Sequence, residues 1–304
     1  MENYYQPESL IIRPPSEWRS LLVRITRGCN WNRCRFCGIY PARGEPTFSC
    51  RNLAGILHDI DLLVGRMPEA QTAFFGDADP LAAGLDIFIG AATYLRQCAS
   101  IRRLTCYARV ATLYKLGRKG VEQLGVAGLN RVHIGLESGN QQILHFQRKG
   151  QAADMVIKVC KWLKAAGIEI SCYVLLGLGG QALAEQHIHD TVELLNIIQP
   201  DFIRLRRLWL YGKGTDRECP LWQQVRDGSF VEQTPEGTVR EVQSLLAGLD
   251  PMDAFLASDH ANNYINVSGN LRQDLPAMQA AVAAFLALPE EQRRAHYALV
   301  GSRI

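Results

Sequence analysis

The chain contains 304 residues, of which 47% are hydrophobic and 21% are charged, and its formal net charge is +3. This length suffices for one large α/β domain or two smaller domains with a substantial apolar core. Because the charge is balanced and no long basic run occurs, nucleic acid is not expected as the main partner. No stretch approaches the roughly 20 apolar residues of a membrane helix, and the polar N-terminus does not resemble a signal peptide. We therefore expect a cytoplasmic protein.

Short apolar runs alternate with helical patterns over the first two thirds of the chain. Strands that alternate with helices of this length indicate βαβ units and therefore a parallel sheet. The predicted strands cover Leu21–Ile25, Thr72–Gly76, Arg103–Tyr107, Arg131–Leu136, Glu169–Leu176 and Phe202–Leu208. The predicted helices cover Asn52–Val64, Leu85–Cys98, Thr112–Leu124, Ala152–Ala166 and Leu183–Ile198.

The number of these units defines the expected fold. Six units fall short of the eight of a complete TIM barrel. The predicted fold class is therefore α/β, a partial (β/α)6 TIM-like barrel with a helical C-terminal extension. We divide the chain into an N-terminal arm at 1–19, a barrel core at 20–209 and an extension at 210–304 that packs on the core. In the extension, helices are predicted near Pro235–Leu249 and Ala277–Leu286.

Three cysteines, Cys29, Cys34 and Cys37, follow the first predicted strand with the spacing C-x4-C-x2-C. Three thiolates this close can bind three irons of a [4Fe–4S] cube and leave the fourth iron open to a non-protein ligand, whereas such clusters are normally closed by four cysteines. The alternative is a structural zinc site, which needs a fourth ligand, and the nearest candidates are Cys50 and His58. A set of soft thiolate ligands alone favours the iron–sulfur cluster.

The same segment resembles the cluster loop of the radical S-adenosylmethionine (radical SAM) superfamily. The resemblance rests on the run from Thr26 to Cys37, on its place after a first strand, and on Phe36, an aromatic residue directly before the last cysteine. The usual spacing in the superfamily is C-x3-C-x2-C, and this chain has one more residue between Cys29 and Cys34. In this respect it resembles an uncharacterised branch of the superfamily.

The resemblance implies contacts with SAM after the second and third strands. Gly76 and Asp77 occupy the place of a Gly-Gly-Glu-like motif that contacts the methionine amino group, because an ammonium group favours a carboxylate and closely approaching backbone carbonyls. The alternative for Asp77 is a strand-to-helix turn in which it caps the helix. Arg109, at the end of the third strand, either reaches a carboxylate in the barrel mouth or is a solvated surface residue.

The fourth strand ends in a Gly-Leu-Glu-Ser-Gly stretch at 135–139 that resembles a stretch common in radical SAM enzymes. The resemblance places Glu137 against the ribose of SAM, and a carboxylate is suited to this because it can accept from two adjacent hydroxyls. It also pairs Lys149, in preference to Arg148, with the carboxylate of SAM. The alternative is that both are exposed cations at the end of a helix.

A glycine-rich segment at 177–182 follows the fifth strand, and its G-x-G-x-x-A pattern matches a dinucleotide-binding fingerprint. That fingerprint opens a first βαβ unit and is followed by an acidic residue near the end of the next strand. Here the pattern occurs late, and Asp201 precedes its strand. The resemblance implies instead that the backbone at Gly177 lies against the adenine of SAM.

A polar cluster at Ser258–Tyr264 lies in the extension. It is either a turn followed by a helix cap or a lid that presents His260, Asn263 or Tyr264 to the substrate. Histidine is suited to proton transfer near neutral pH, and a comparable stretch occurs late in the uncharacterised radical SAM proteins that the chain resembles. His260 and Tyr264 are therefore the candidate catalytic residues.

Two further groups of residues have open interpretations. Arg204 and Arg206 alternate along the sixth strand, so they share one face. They either point into the barrel lumen and bind an anionic substrate, or they are outward charges on an edge strand. His187 and His189 lie two residues apart on a helix and point in different directions, so we interpret them as surface histidines.

The resemblance covers about residues 20–208 and implies an enzyme with a [4Fe–4S] cluster and SAM as cofactors. Cys29, Cys34 and Cys37 would ligate the cluster, and a flavodoxin- or ferredoxin-type donor would supply an electron. SAM would then be cleaved to methionine and a 5′-deoxyadenosyl radical, which abstracts hydrogen from a small-molecule substrate. Two alternatives stay open: a non-catalytic iron–sulfur or zinc-binding protein, and a TIM-like hydrolase or isomerase with a structural zinc.

Overall fold

The computed structural model describes residues 12–42 and 47–301. Within them, 3-10 turns cover Pro15–Glu17 and Pro80–Ala83. The strands are β1 (Leu21–Arg24), β2 (Thr26–Arg27), β3 (Ser49–Cys50), β4 (Thr72–Gly76), β5 (Arg103–Ala108), β6 (Leu129–Glu137), β7 (Glu169–Leu176), β8 (Phe202–Arg207), β9 (Phe255–Ala257) and β10 (Ser268–Asn270). The helices are α1 (Ile39–Ala42), α2 (Leu53–Arg66), α3 (Leu85–Cys98), α4 (Val110–Val126), α5 (Gln141–Phe146), α6 (Ala153–Ala165), α7 (Ala184–Ile198), α8 (Leu221–Arg226), α9 (Pro235–Gly248), α10 (Leu275–Leu286) and α11 (Glu290–Gly301).

One large sheet forms the centre of the molecule, with its strands in the order β1-β4-β5-β6-β7-β8-β9-β10. From β1 to β9 all neighbours pair in parallel, while β2 and β3 form a separate antiparallel ribbon. The predicted strands correspond to β1 and to β4 through β8, with ends that agree to within two residues. The predicted α/β partial barrel is confirmed.

The C-terminal extension contributes two strands that the sequence analysis did not predict. β9 pairs in parallel with β8, and β10 pairs antiparallel with β9. Each has three residues, which is too short for an alternating pattern to be visible in the sequence. The predicted helical extension is therefore incomplete, because it also enlarges the sheet. Residues 1–11 of the predicted arm and residues 302–304 lie outside the described chain.

The sheet has an apolar face under the helices and a polar, aromatic face that lines the barrel lumen. Side chains alternate along a strand, so Ile203 and Leu205 of β8 are fully buried on the side opposite to Arg204. Rings from neighbouring strands line the lumen side, with centroids 5.1, 5.9 and 6.2 Å apart in the succession Phe74, Tyr107, His133 and Tyr173.

Glu17, in the described part of the N-terminal arm, lies at the amino end of the lumen. Glu17 is fully buried, accepts a hydrogen bond from the Ser20 hydroxyl at 2.7 Å and lies 3.3 Å from Arg103. Its second oxygen is 3.7 Å from Nε2 of His133. Burial alone would raise the pKa of Glu17, but these neighbours lower it, whereas burial lowers the pKa of His133 to about 4. The arm therefore places a carboxylate beside a neutral histidine.

Local sequence signals explain how the helices begin and where one is interrupted. The Asn52 side chain accepts from the backbone N–H of Gly55 at 2.8 Å and caps α2. The helix predicted at 112–124 is broken at Gly117, whose φ of 69° divides α4 into two segments. None of the helices in the described residues has the length and apolar character of a membrane span.

Candidate active site

The predicted site residues gather at one edge of the sheet. In the large sheet β1 and β4 through β9 are parallel, so their carboxyl ends meet at the same edge, where (β/α) barrels carry their active sites. The cysteine loop lies just beyond β1 and β2. The ends of β4, β5, β6, β7 and β9 carry, in that order, Gly76 and Asp77, Arg109, Glu137, Gly177, and the segment Ser258–Tyr264.

The three cysteines of the loop are partly buried and not disulfide-bonded. The backbone N–H of Asn32 donates to Sγ of Cys29 at 3.4 Å, and the N–H of Cys37 donates to the Cys34 carbonyl at 3.2 Å. Burial raises the pKa of Cys34 and raises that of Cys37 to about 12. Since metals and clusters bind the thiolate, binding here would release protons.

The three sulfurs are not gathered as they would be around a single bound zinc ion. In the described part of the chain, no cysteine belongs to a group of three ligand atoms within 4.8 Å of one another, whereas thiolates on one tetrahedral zinc lie about 3.8 Å apart. Of the candidate fourth ligands, Cys50 is exposed on β3 with its thiol 3.9 Å from the Ala82 carbonyl, and His58 is exposed on α2. Thiolates on separate irons of one cube need the wider spacing.

Lys149 and Glu137 form an ion pair of 2.7 Å, and each side chain is 14% exposed. Glu137 has a φ of 63° at an irregularity in the pairing of β6 with β7, which directs its carboxylate back over Gly135. A Cβ on Gly135 would lie 2.1 Å from Oε1 of Glu137 and 2.6 Å from Nζ of Lys149, so any other residue there would displace the ion pair. Burial alone would lower the pKa of Lys149, but Glu137 and Cys34 raise it. The two residues predicted to bind SAM are thus adjacent to each other and to the cluster loop.

A tryptophan in the cysteine loop holds the segment that carries Lys149. Trp31 donates its indole N–H to the Arg148 carbonyl at 2.7 Å. The guanidinium groups of Arg33 and Arg109 lie 5.1 and 4.7 Å from the centre of its ring system. Gly150 has a φ of 70°, and a Cβ there would come within 2.6 Å of the ring. Trp31 is one of the four residues between the first two cysteines, and the sequence analysis assigned it no role.

Asp77 is buried after β4, and its carboxylate is already engaged. Oδ2 lies 3.3 Å from Nη1 of Arg24, and the Tyr40 hydroxyl donates to Oδ1 at 3.2 Å. The backbone N–H of Asp77 donates to Oγ1 of Thr26 at 3.3 Å. Burial, with Asp77 beside it, raises the pKa of Tyr40, so this hydroxyl keeps its proton. Asp77 thus ties β4 to β1 and β2, and its contact with SAM stays a prediction.

A second carboxylate, Asp79, was not singled out in the sequence. It is fully buried and accepts from Asn30 at 2.9 Å, from the Thr112 hydroxyl at 2.5 Å and from the backbone N–H of Arg109 at 3.5 Å. Burial raises its pKa to about 6. Because Asn30 belongs to the cysteine loop, Asp79 joins that loop to the start of α4. The only signal was the repeated acid in Asp-Ala-Asp at 77–79.

Gly177 directly follows β7 and has a φ of 81°, and its backbone N–H donates to Oε2 of Glu241 at 2.6 Å. Gln233 donates to the other carboxylate oxygen at 3.2 Å. Burial raises the pKa of Glu241 to about 7. Glu241 belongs to α9, so a residue of the extension positions the strand end that was predicted to face adenine.

Helix α7 packs against the Glu-Ser-Gly stretch at 137–139 and holds it in position. His187 is buried, with Nε2 3.1 Å from the Leu175 carbonyl and Nδ1 2.8 Å from Oγ of Ser138. Because a carbonyl can only accept, Nε2 carries the proton and Nδ1 accepts from the serine. Burial lowers the pKa of His187 to about 4. The interpretation of His187 as a surface residue is wrong, because its helix face packs on the sheet, whereas His189 is exposed as predicted.

The two candidate catalytic residues follow β9 but differ in their surroundings. His260 is partly buried, with Nδ1 2.5 Å from Oδ1 of Asn262, and burial and Arg206 lower its pKa. Tyr264 is buried; Arg207 donates to its hydroxyl, and its ring centroid lies 5.3 Å from that of Tyr297 in α11. Of the two, His260 is the less buried, and catalytic roles for both stay predictions.

Comparison with known proteins identifies the family. The model of the radical SAM superfamily matches residues 23–195, more than half of the chain. The chain belongs to the radical SAM superfamily. As a member of this superfamily it has a [4Fe–4S] cluster and SAM as its cofactors. The superfamily predicted from the cysteine loop is confirmed.

Solved structures of radical SAM enzymes share its fold. The methyltransferase TsrM from Kitasatospora setae, with cobalamin and a [4Fe–4S] cluster bound, is 15% identical over 63% of this chain and 38% of its own, with a TM-score of 0.50. Coproporphyrinogen III oxidase (HemN) from Escherichia coli is 14% identical over 75% and 51%, with a TM-score of 0.57. Methylornithine synthase (PylB) is 13% identical over 86% and 68%, with a TM-score of 0.56.

These identities show the fold alone, and the chain spans only 38% and 51% of the lengths of TsrM and HemN. Their substrates are therefore not transferred to this radical SAM protein. No curated protein matches its sequence.

Proposed function

We propose that this radical SAM enzyme holds its cluster at Cys29, Cys34 and Cys37 and abstracts hydrogen from a small-molecule substrate. The observation that carries the proposal is the Lys149–Glu137 ion pair beside the thiols. Lys149 lowers the pKa of both Cys34 and Cys37 against the larger effect of burial, so the predicted SAM-binding pair and the cluster loop share one site. When bound, the reduced cluster supplies the electron that cleaves SAM to methionine and the 5′-deoxyadenosyl radical.

In this proposal the chain binds the two ends of SAM with separate groups. Lys149 pairs with the carboxylate of SAM, and Glu137 accepts from the ribose hydroxyls. The strand end at Gly76 and Asp77 binds the amino group, and the backbone at Gly177 lies against adenine. The buried Lys149–Glu137 pair supports the first two roles, because the ammonium group and the carboxylate still compensate each other's charge when SAM is released.

Arg109 acts in this proposal through Lys149 rather than on SAM directly. Its guanidinium lies 3.5 Å from the Lys149 carbonyl and 4.7 Å from the centre of the Trp31 ring system. Arg109 therefore positions the backbone that carries the ammonium group.

His260 is the proposed acid–base residue for the substrate. Because its pKa is lowered, the ring is neutral near neutral pH and one nitrogen can accept a proton. For Tyr264, whose hydroxyl already accepts from Arg207, we propose that it supports the segment that carries His260.

The electron comes in this proposal from a flavodoxin- or ferredoxin-type donor in the cytoplasm. Arg33 and Arg148 are exposed beside the cysteine loop, and a positive surface favours association with a negatively charged partner.

The proposal is tested by anaerobic reconstitution with iron and sulfide, reduction with dithionite and addition of SAM. We expect 5′-deoxyadenosine and methionine in equal amounts. Replacing any one of Cys29, Cys34 and Cys37 by Ala should abolish iron binding and product, because three thiolates are the minimum for holding the cluster. Cys98→Ala, at a partly buried cysteine of α3, is the matched control and should retain both.

Each alternative outcome has a distinct meaning. Full iron content and product in a Cys34→Ala variant would contradict the ligand assignment. A cluster that forms in the wild type without any 5′-deoxyadenosine would favour the non-catalytic iron–sulfur protein. Zinc uptake without iron would favour a zinc-binding protein.

A further inference from the structure

Charged side chains line the barrel lumen from its amino end to the carboxyl edge, and most of them are paired. Pairing offsets part of the cost of burying a charge, and a buried charge that has lost its partner is strongly destabilising. The described pairs are Arg103 with Glu17 at 3.3 Å, Arg131 with Glu169 at 2.7 Å, Arg24 with Asp77 at 3.3 Å and Lys149 with Glu137 at 2.7 Å.

Arg204, in the middle of β8, differs from these residues. It is only 6% exposed. Its contacts are a hydrogen bond from Nε to Oγ of Ser171 at 3.2 Å and the face of Phe202, 5.7 Å from the guanidinium. Within residues 12–42 and 47–301, no carboxylate pairs with it. Burying a charge without a counter-ion raises the free energy of the folded state. Arg204 therefore suggests an anionic partner that does not belong to the described chain.

The guanidinium of Arg204 lies on the lumen side of the sheet. Arg204 is in register with Tyr173 of β7, and it lowers the pKa of His133 in β6. Its sequence neighbours Ile203 and Leu205 pack on the opposite side, in the apolar core. The charge is therefore directed into the space enclosed by the strands and not outward from an edge strand.

Arg206 continues this face towards the carboxyl edge. It is two residues, roughly 7 Å, further along the strand, and its guanidinium lies 5.2 Å from the centre of the Tyr173 ring. Nη1 is 3.5 Å from Asp259, while Nη2 is buried without a hydrogen bond in the described chain. The two arginines thus place one positive charge at the rim, on Arg206, and a second one deeper in the lumen, on Arg204.

We propose that Arg204 binds an anionic group of the substrate, a carboxylate or a phosphate, inside the lumen and below the SAM site. The planar guanidinium can donate to two oxygens of such a group. Arg206 receives the anion at the rim, and the rings of Tyr107 and Tyr173 contact the carbon skeleton. This inference rests on the proposed function, because it places the substrate of the radical in the lumen.

Thermal unfolding separates a binding role of Arg204 from a structural one. Removing an uncompensated buried charge relieves the folded state, so Arg204→Met should leave Tm unchanged or raise it. Arg103→Met is the matched control, since it leaves the fully buried Glu17 without its cation and should lower Tm by at least about 5 °C. A fall in Tm for Arg204→Met as large as that for Arg103→Met would overturn the proposal.

Ligand binding is tested on the reconstituted, unreduced protein with three probes of similar shape, at constant ionic strength. We expect benzoate or phenyl phosphate to raise Tm by a ligand-dependent shift, and the neutral benzamide to have no effect. The shift should disappear in Arg204→Met and be partly retained in Arg204→Lys. A shift with benzoate identifies a carboxylate as the anion, and a shift with phenyl phosphate identifies a phosphate.

Two results would contradict the inference: equal Tm values with the anions and with benzamide, or an anion shift that persists in Arg204→Met. Neither measurement involves reduction or SAM cleavage. Anion binding without 5′-deoxyadenosine formation would therefore contradict the proposed function alone. Product formation without anion binding would contradict this inference alone.

Discussion

At the scale of single residues, the ion pair between Glu137 and Lys149 carries the assignment of SAM contacts. Glu137→Gln keeps the size of the side chain and removes the charge that Lys149 and the ribose hydroxyls would share. Since a hydrogen bond to a charged group contributes about 1.5–3 kcal/mol, we expect SAM to bind at least about tenfold more weakly. Cluster content should be unchanged, because Glu137 ligates no iron.

Titration calorimetry with SAM on the reconstituted protein measures this effect. Glu122→Gln is the matched control: Glu122 pairs with Arg118 on the surface of α4, and its replacement should not change SAM affinity. If Glu137→Gln binds SAM with the same dissociation constant as the wild type, Glu137 does not accept hydrogen bonds from the ribose hydroxyls.

The sequence allowed some of these residues to be predicted and not others, for a physical reason. Cys29, Glu137 and Lys149 lie in short motifs whose chemistry is visible in one stretch of chain. Asp79 and Trp31 gain their roles through partners far away in sequence, 33 residues for Thr112 and 117 residues for Arg148. No local pattern encodes such contacts.

At the scale of elements, the cysteine loop and the segment between α5 and α6 behave as one unit. Trp31→Ala removes the hydrogen bond to the Arg148 carbonyl and the surface on which Arg33 and Arg109 stack. These contacts contribute on the order of 1–2 kcal/mol, so we expect SAM affinity to fall by about tenfold as Lys149 loses its position. Iron content should fall less, because the thiols remain.

The control for this variant is Trp18→Ala, since Trp18 is 61% exposed and lies in the N-terminal arm. Iron analysis and SAM titration on both variants measure the difference. Equal SAM affinity in Trp31→Ala and Trp18→Ala would show that the tryptophan does not position Lys149.

The strand β9 illustrates which elements escape sequence analysis. The six predicted strands are four to nine residues long and contain repeated apolar residues, which indicate strands packed under helices. β9 has three residues and pairs with β8 only after α8 and α9 have returned the chain to the sheet. Its direction, which brings His260 to the active edge, depends on that tertiary pairing and not on local propensity.

At the scale of the whole molecule, buried titratable groups give opposing contributions to stability as the pH changes. Folding lowers the pKa of His187 to about 4, so its contribution is complete above its ordinary pKa near 6.5 and is lost as the pH falls towards 4. Folding raises the pKa of Asp79 to about 6 and that of Glu241 to about 7. Their contribution is complete at low pH and is lost as the pH rises through these values.

His187→Gln should therefore flatten the loss of stability on acidification. Between pH 7 and 5.5 the unfolded wild type takes up a proton that the folded protein excludes, which amounts to about 1 kcal/mol. Urea unfolding at both pH values measures the difference between wild type and variant. His189→Gln is the control at the exposed neighbouring histidine, and a flattening as large in that variant would contradict the assignment to His187.

The buried carboxylate of Glu17 has a consequence for the order of events in turnover. Because Glu17 and its neighbours pack across the amino end of the barrel, we expect a small molecule to reach Arg204 from the rim, where we propose that SAM binds. If SAM lies across that opening, the substrate must bind before SAM. After the reaction, 5′-deoxyadenosine must leave before the product formed from the substrate. Entry from one side favours an ordered mechanism of binding and release. The radical would then form only when the substrate is already enclosed beneath SAM.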